Sequence, residues 1–152
     1  MEKIDTFEEF LKKKKLEEKS KKIDWNERRV TWLNSVDQLY LKIRTWLDPF
    51  MEQSLLDIKE KNVEINEEYI GLYTIRRLDI YLGNDLISLL PKGTLIIGSY
   101  GRVDMKGPKG EIMMVEQKWS EWKLAKRTPK FQTWDLTAES FKEAFQEVIN
   151  GR

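Results

Sequence analysis

The sequence predicts an α+β domain in which a long helical segment precedes a curved antiparallel sheet and a C-terminal helix follows it. Apolar residues recur at helical spacing up to residue 48, alternate with polar residues from 55 to 136, and return to helical spacing from 138 to 149. Connections between the alternating runs are too short for parallel crossovers. We therefore expect a meander of seven or eight short strands, strongly curved or partly closed into a roll or barrel.

Length and composition limit the classes of function. The chain has 152 residues, enough for a single domain, and its 27 basic and 26 acidic side chains leave a net charge of +1. No global field therefore draws it to nucleic acid or anionic lipid. Cysteine and histidine are both absent, which excludes thiol nucleophiles, imidazole bases and zinc sites built on them. Because there is neither a long apolar run nor a signal-peptide core, we expect a cytoplasmic protein. We also expect no cofactor.

The first 23 residues predict a solvated helical extension. Thr6 and Glu9 have the spacing of a capping box. Residues 12–15 are four lysines, but residues 1–29 carry ten basic against eight acidic side chains, which is more typical of a solvated helix than of a nucleic-acid arm. The helix is also a candidate surface for homo-oligomerisation. Its apolar residues are Phe7, Phe10, Leu11 and Leu16.

A second helix is predicted over residues 24–48, where the apolar face is broad enough to cover a sheet. We expect it to end at Pro49, because the residue before a proline avoids the helical basin. The stripe consists of Trp25, Trp32, Val36, Leu39, Ile43 and Trp46, widened by Leu33, Tyr40 and Leu47.

The alternating region and the last helix complete the fold. The alternation predicts two short strands, LLDIK and VEI, on either side of the polar stretch KEKN. Thr137 is the expected N-cap of the C-terminal helix, with Leu136 and Phe141 as a hydrophobic staple and Asn150-Gly151 at the end. Seven strands followed by one amphipathic helix resemble the pleckstrin-homology roll in element order, and this resemblance implies a fold but no ligand.

One hairpin contains a candidate catalytic pattern. Asp104, Glu116 and Lys118 resemble the D…ExK pattern of the PD-(D/E)xK nuclease superfamily over about 19 residues. The resemblance implies that the two acids would hold magnesium while the lysine positions or activates the attacking water. Metal-dependent nuclease action is therefore one hypothesis for this chain.

The predicted register of the same hairpin opposes that hypothesis. The Gly107–Gly110 turn aligns the apolar residues on one face, and Asp104 and Glu116 then point to opposite faces about 10 Å apart along the strands. Such carboxylates cannot share an ion, so we assign the hairpin a structural role and no metal. The predicted pairs are Lys106 with Glu111, Met105 with Ile112, Asp104 with Met113, and Val103 with Met114.

A second candidate surface is the basic-aromatic segment, residues 118–134. It interleaves four aromatic rings with five cations against the single acid Glu121. Aromatic faces stack on bases and cations hold phosphates, which is how single-stranded nucleic acid is bound without sequence readout. The candidate residues are Trp119, Trp122, Lys123, Lys126, Arg127 and Lys130.

Three functions follow from these observations, in order of preference. The first is a non-enzymatic module that presents a surface to a protein partner, which the missing catalytic side chains, the near-neutral charge and the six tryptophans favour. The second is single-stranded nucleic-acid binding through the basic-aromatic segment. The third is nuclease action at the hairpin.

Overall fold

The computed structural model describes residues 2–22, 24–94 and 100–151, with side chains in the first helix from residue 6 to residue 18. Three helices and seven strands follow one another along the chain, and the class is α+β as predicted. The elements are α1 (Glu2–Lys22), α2 (Trp25–Glu52), β1 (Asp57–Glu67), β2 (Gly71–Leu82), β3 (Asp85–Gly93), β4 (Gly101–Gly107), β5 (Gly110–Lys118), β6 (Glu121–Lys126), β7 (Gln132–Asp135) and α3 (Ala138–Asn150).

The strands form one antiparallel sheet in sequence order, so the predicted meander is confirmed. The sheet is not closed, because β1 and β7 are the two ends of this order. Helix α2 and helix α3 cover the same face, where the rings of Trp46 and Phe141 lie 5.6 Å apart. The core lies between these helices and the sheet.

Strand β1 runs unbroken from Asp57 to Glu67, so the prediction of two strands around KEKN was wrong. Its pairing with β2 is continuous. The polar side chains have partners: Glu60 accepts hydrogen bonds from Arg44 and Arg76, and Lys61 lies 3.2 Å from Asp79. A paired strand tolerates a polar stretch when neighbouring charges are available.

Before Leu78, β1 and β2 extend from the sheet as a two-stranded ribbon, because β3 pairs only with residues 78–82 of β2. The buried side of β2 changes from Tyr73 and Ile75 to Leu78 and Ile80 along its length. Two-stranded ribbons twist more strongly than wide sheets, which accounts for this change of face. The ribbon is anchored to α2 by Trp32, whose Nε1 donates a hydrogen bond of 3.1 Å to the hydroxyl of Tyr73.

Helix α2 extends to Glu52, with Pro49 inside it, so the predicted end at Pro49 was three residues too early. The proline removes only one backbone hydrogen bond, close to the end of the helix. Phe50 and Met51, which follow it, pack against the core and favour one further helical turn. At the other end, the carboxylate of Asp24 accepts a hydrogen bond from the amide of Glu27.

Helix α3 has the predicted caps. The hydroxyl of Thr137 accepts a hydrogen bond from the amide of Ser140, whose side chain in turn accepts from the amide of Thr137. Gly151 ends the helix in the left-handed conformation. Phe141, Ala144 and Val148 are buried against the sheet.

Candidate functional site

The register of the β4–β5 hairpin is the one that the sequence predicts. Lys106 pairs with Glu111 and Asp104 with Met113, and no register shift occurs between these strands. Glu116 is three residues beyond Met113, so its side chain and that of Asp104 point to opposite faces of the sheet. The described residues contain no group of three or more carboxylates that could hold a metal ion.

Glu116 is fully buried under α2. One of its carboxylate oxygens, Oε2, accepts hydrogen bonds from the hydroxyl of Ser35 and from the amide of Ser120, the latter at 2.7 Å. The other, Oε1, has no hydrogen-bond partner among the described residues. Burial raises the pKa of Glu116, although these hydrogen bonds and the charge of Arg28 oppose the rise. Lys118, the third residue of the nuclease pattern, is exposed.

Asp104 lies on the face of the sheet opposite to the helices. Its carboxylate is 2.8 Å from the guanidinium of Arg102 and borders a cavity of about 200 Å³ that includes Met113 and Ala125. Burial raises the pKa of Asp104, although the charge of Arg102 opposes the rise. The structure therefore does not bring the two acids of the nuclease pattern together, while catalysis itself stays untested.

Two of the four aromatic rings of the basic-aromatic segment, those of Trp119 and Trp122, pack against other residues of the protein. Trp122 is buried, with its ring 6.2 Å from that of Trp32. Trp119 packs edge-on against Tyr100 at 4.7 Å and lies under the guanidinium of Arg28. Neither ring is free to stack on a base without rearrangement.

The cations of the same segment divide into two groups. Lys123 lies 3.1 Å from Asp135, and Lys126 lies 2.5 Å from Glu147. Arg127 and Lys130 are exposed, near the exposed ring of Phe131. Among the described residues, the exposed members of the predicted nucleic-acid surface lie in the connection between β6 and β7, and binding of nucleic acid stays a prediction.

An apolar cavity that the sequence did not indicate lies where the end of α2 meets α3. Its volume is about 250 Å³, and it is open to solvent. Leu55 at its edge is 53% exposed, which is high for a leucine beside a core. The lining residues are Leu47, Phe50, Leu55, Leu56, Leu82, Phe141, Lys142, Phe145 and Gln146.

Local structure explains how this cavity, which we call the α2–α3 cavity, forms. After α2 the chain reverses through Ser54, whose φ of 59° is left-handed, and the amide of Leu55 donates to the carbonyl of Phe50. This turn places Leu55 and Leu56 beside the helix end. Phe141 and Phe145, four residues apart on α3, close the other side. Sequence reasoning missed the site because its two walls are about 90 residues apart in the chain.

Carboxylates outnumber cations among the residues that lie within two positions in the chain of the α2–α3 cavity lining. One cation, Lys142, belongs to the lining, where its Nζ lies over the ring of Phe50 and 3.9 Å from Glu139. The last turn of α2 contains no basic residue, so the negative end of its dipole is not offset there. Exposed carboxylates next to the lining residues in the chain are Glu52, Asp57, Glu139 and Glu143.

Comparison with protein families, with curated proteins and with solved structures found no match for this chain. Among the described residues, none of the helices combines the length and the apolar character needed to cross a membrane.

Proposed function

We propose that this protein is a non-enzymatic interaction module whose α2–α3 cavity binds an amphipathic helix of a protein partner. The observation that carries this proposal is the cavity itself: an apolar hollow left open to water by three phenylalanines and four leucines. Apolar grooves of this kind bind helices that present apolar side chains at positions i, i+3 and i+4. A volume of about 250 Å³ suits one or two large side chains rather than a whole cofactor.

We expect charged residues near the cavity to determine which of these helices bind most tightly. Glu52, Asp57, Glu139 and Glu143 are exposed and lie close in the chain to residues of the cavity lining, whose one cation is Lys142. A helix whose apolar side chains enter the cavity and whose lysines follow one turn later is therefore attracted by these carboxylates. The same helix with glutamates in place of the lysines is repelled. Because these charges are exposed, we expect the preference to weaken as salt increases.

A pair of synthetic helical peptides tests this proposal. The probe peptide carries Phe, Phe and Leu at i, i+3 and i+4 followed one turn later by two lysines, and its partner carries two glutamates instead. We expect the lysine peptide to bind at least about tenfold more tightly in fluorescence anisotropy at low salt, a difference that corresponds to about 1.4 kcal/mol. Equal binding of both peptides would contradict the proposal.

Matched variants locate the binding. Leu55→Glu places a charge at the mouth of the cavity and should weaken binding of the lysine peptide at least about tenfold, because it removes an apolar contact. Leu41→Glu makes the same change at an exposed leucine on α2 outside the cavity lining and should leave binding unchanged. Equal effects of the two substitutions would show that the peptide does not bind in the cavity.

A further inference from the structure

Helix α1 carries an apolar stripe that no other described element covers. Phe7, Phe10 and Leu11 are 61%, 55% and 49% exposed. Their i, i+3, i+4 spacing places them on one face, and Lys14 and Lys15 lie on that same face one turn later. A 21-residue helix whose apolar stripe stays exposed is only marginally stable in water, so a covering partner would stabilise α1.

The stripe and the α2–α3 cavity are complementary. Phe7, Phe10 and Leu11 have the i, i+3, i+4 spacing that apolar grooves accept, and Lys14 and Lys15, which follow one turn later, are opposite in charge to the exposed carboxylates that neighbour the lining residues in the chain. Both surfaces belong to the same chain, and each lacks an apolar partner among the described residues. The chain thus contains both halves of one contact.

The lengths of the helices prevent this contact within one chain. At 1.5 Å per residue, Phe7 lies about 22 Å from the end of α1 at Lys22. Leu47, the nearest cavity residue of α2, lies about 33 Å from the start of α2 at Trp25. Even if α1 folded back along α2, its stripe would fall about 10 Å short, since only two residues join the helices. A second copy of the chain is therefore required.

We infer that two copies of this protein exchange their α1 helices, each laying the stripe of Phe7, Phe10 and Leu11 over the α2–α3 cavity of the other with one or two of these side chains inside it. The inference rests on the proposed function and names its partner. Reciprocal exchange uses the same two surfaces twice, which gives a closed dimer rather than a filament.

Sedimentation velocity of the full-length chain over a concentration series tests the exchange. We expect a dimer for the native chain and a dissociation constant at least about tenfold higher for Phe10→Glu. Leu16→Glu, on the opposite face of α1 and similarly exposed, should leave the dimer intact. Leu55→Glu should also dissociate the dimer, and Leu41→Glu should not. Circular dichroism of each variant checks that the fold is retained.

Mixing two variants, each of which lacks one of the two contact surfaces, tests the exchange most directly. A Phe10→Glu chain keeps its cavity and a Leu55→Glu chain keeps its stripe, so a mixture should form a 1:1 complex that neither forms alone. The lysine probe peptide should also bind Phe10→Glu more tightly than it binds the native chain, because the variant leaves the cavity vacant. A mixture that remains monomeric would overturn the exchange.

The two proposals fail in different ways. If the native chain stays monomeric at about 100 μM and still binds the lysine peptide, the exchange of α1 helices is overturned and the proposed function is not. A dimer that survives Phe10→Glu also overturns it, because the stripe is then not part of the contact. Absence of peptide binding to the Phe10→Glu variant overturns the proposed function.

Discussion

Gly101 shows how a single residue sets the distance between α2 and the sheet. A Cβ atom at this position would lie 2.1 Å from Cζ3 of Trp32, too close for any real contact. Trp32 itself is fully buried and is held by Tyr73 and Trp122. It cannot move aside without disturbing the core, so glycine is required here for close packing.

Replacement of Gly101 with alanine should therefore destabilise the fold. We expect a loss of about 1–3 kcal/mol in the free energy of unfolding, the usual cost of overpacking a core. Gly110→Ala is the matched control, because a Cβ there meets no atom within 4 Å; its change should stay below about 0.5 kcal/mol. Urea denaturation measures both values. Equal stability of the two variants would mean that α2 shifts freely over the sheet.

Among the elements, α2 has one face buried in the core and one face exposed to solvent. Leu39 is 1% exposed and Leu41, two residues later, is 59% exposed. Replacing Leu39 with alanine should lower the free energy of unfolding by about 2–5 kcal/mol, because it leaves a cavity in the core. Leu41→Ala should change it by less than about 0.5 kcal/mol. A small loss for Leu39→Ala in the same denaturation experiment would show that α2 is not a core helix.

The elements also show which local sequence patterns were sufficient to predict the structure. The β4–β5 register was predictable because a slip of one residue would move Val103, Met105, Ile112 and Met114 off the core face. The unbroken course of β1 was not predictable from its own residues. Its polar stretch is stabilised by Arg44 of α2 and Asp79 of β2, which are distant in sequence.

For the whole molecule, pH dependence of stability depends on three buried carboxylates. Burial raises the pKa of Glu116 and of Asp104. Burial also acts to raise the pKa of Asp79, but hydrogen bonds from Arg77, Ser88 and Lys61 outweigh it and hold that pKa below its ordinary value. A group with a raised pKa stabilises the fold at low pH and loses this contribution as pH rises through its folded value. A group with a lowered pKa behaves in the opposite way.

The contribution of Glu116 can be isolated with Glu116→Gln, which cannot titrate. The free energy of unfolding of the native chain, relative to this variant, should decrease as pH rises above the ordinary pKa of a glutamate side chain and through the raised folded pKa of Glu116. Urea titrations at four pH values measure this difference. A flat difference for Glu116→Gln would show that burial does not raise the pKa of Glu116 in the folded chain.

By itself the sequence determined the fold class, the buried stripe of α2, the caps of α3 and the register of the hairpin. These features depend on periodicity, turn residues and near-neighbour pairing, all of which are local. Only the tertiary structure decided that Trp122 is core, that Glu116 lies beneath α2 and that Asp104 faces away from it. It also created the α2–α3 cavity, whose two walls are about 90 residues apart in the chain. A site of this kind depends on how elements pack together, and no single stretch of sequence encodes that packing.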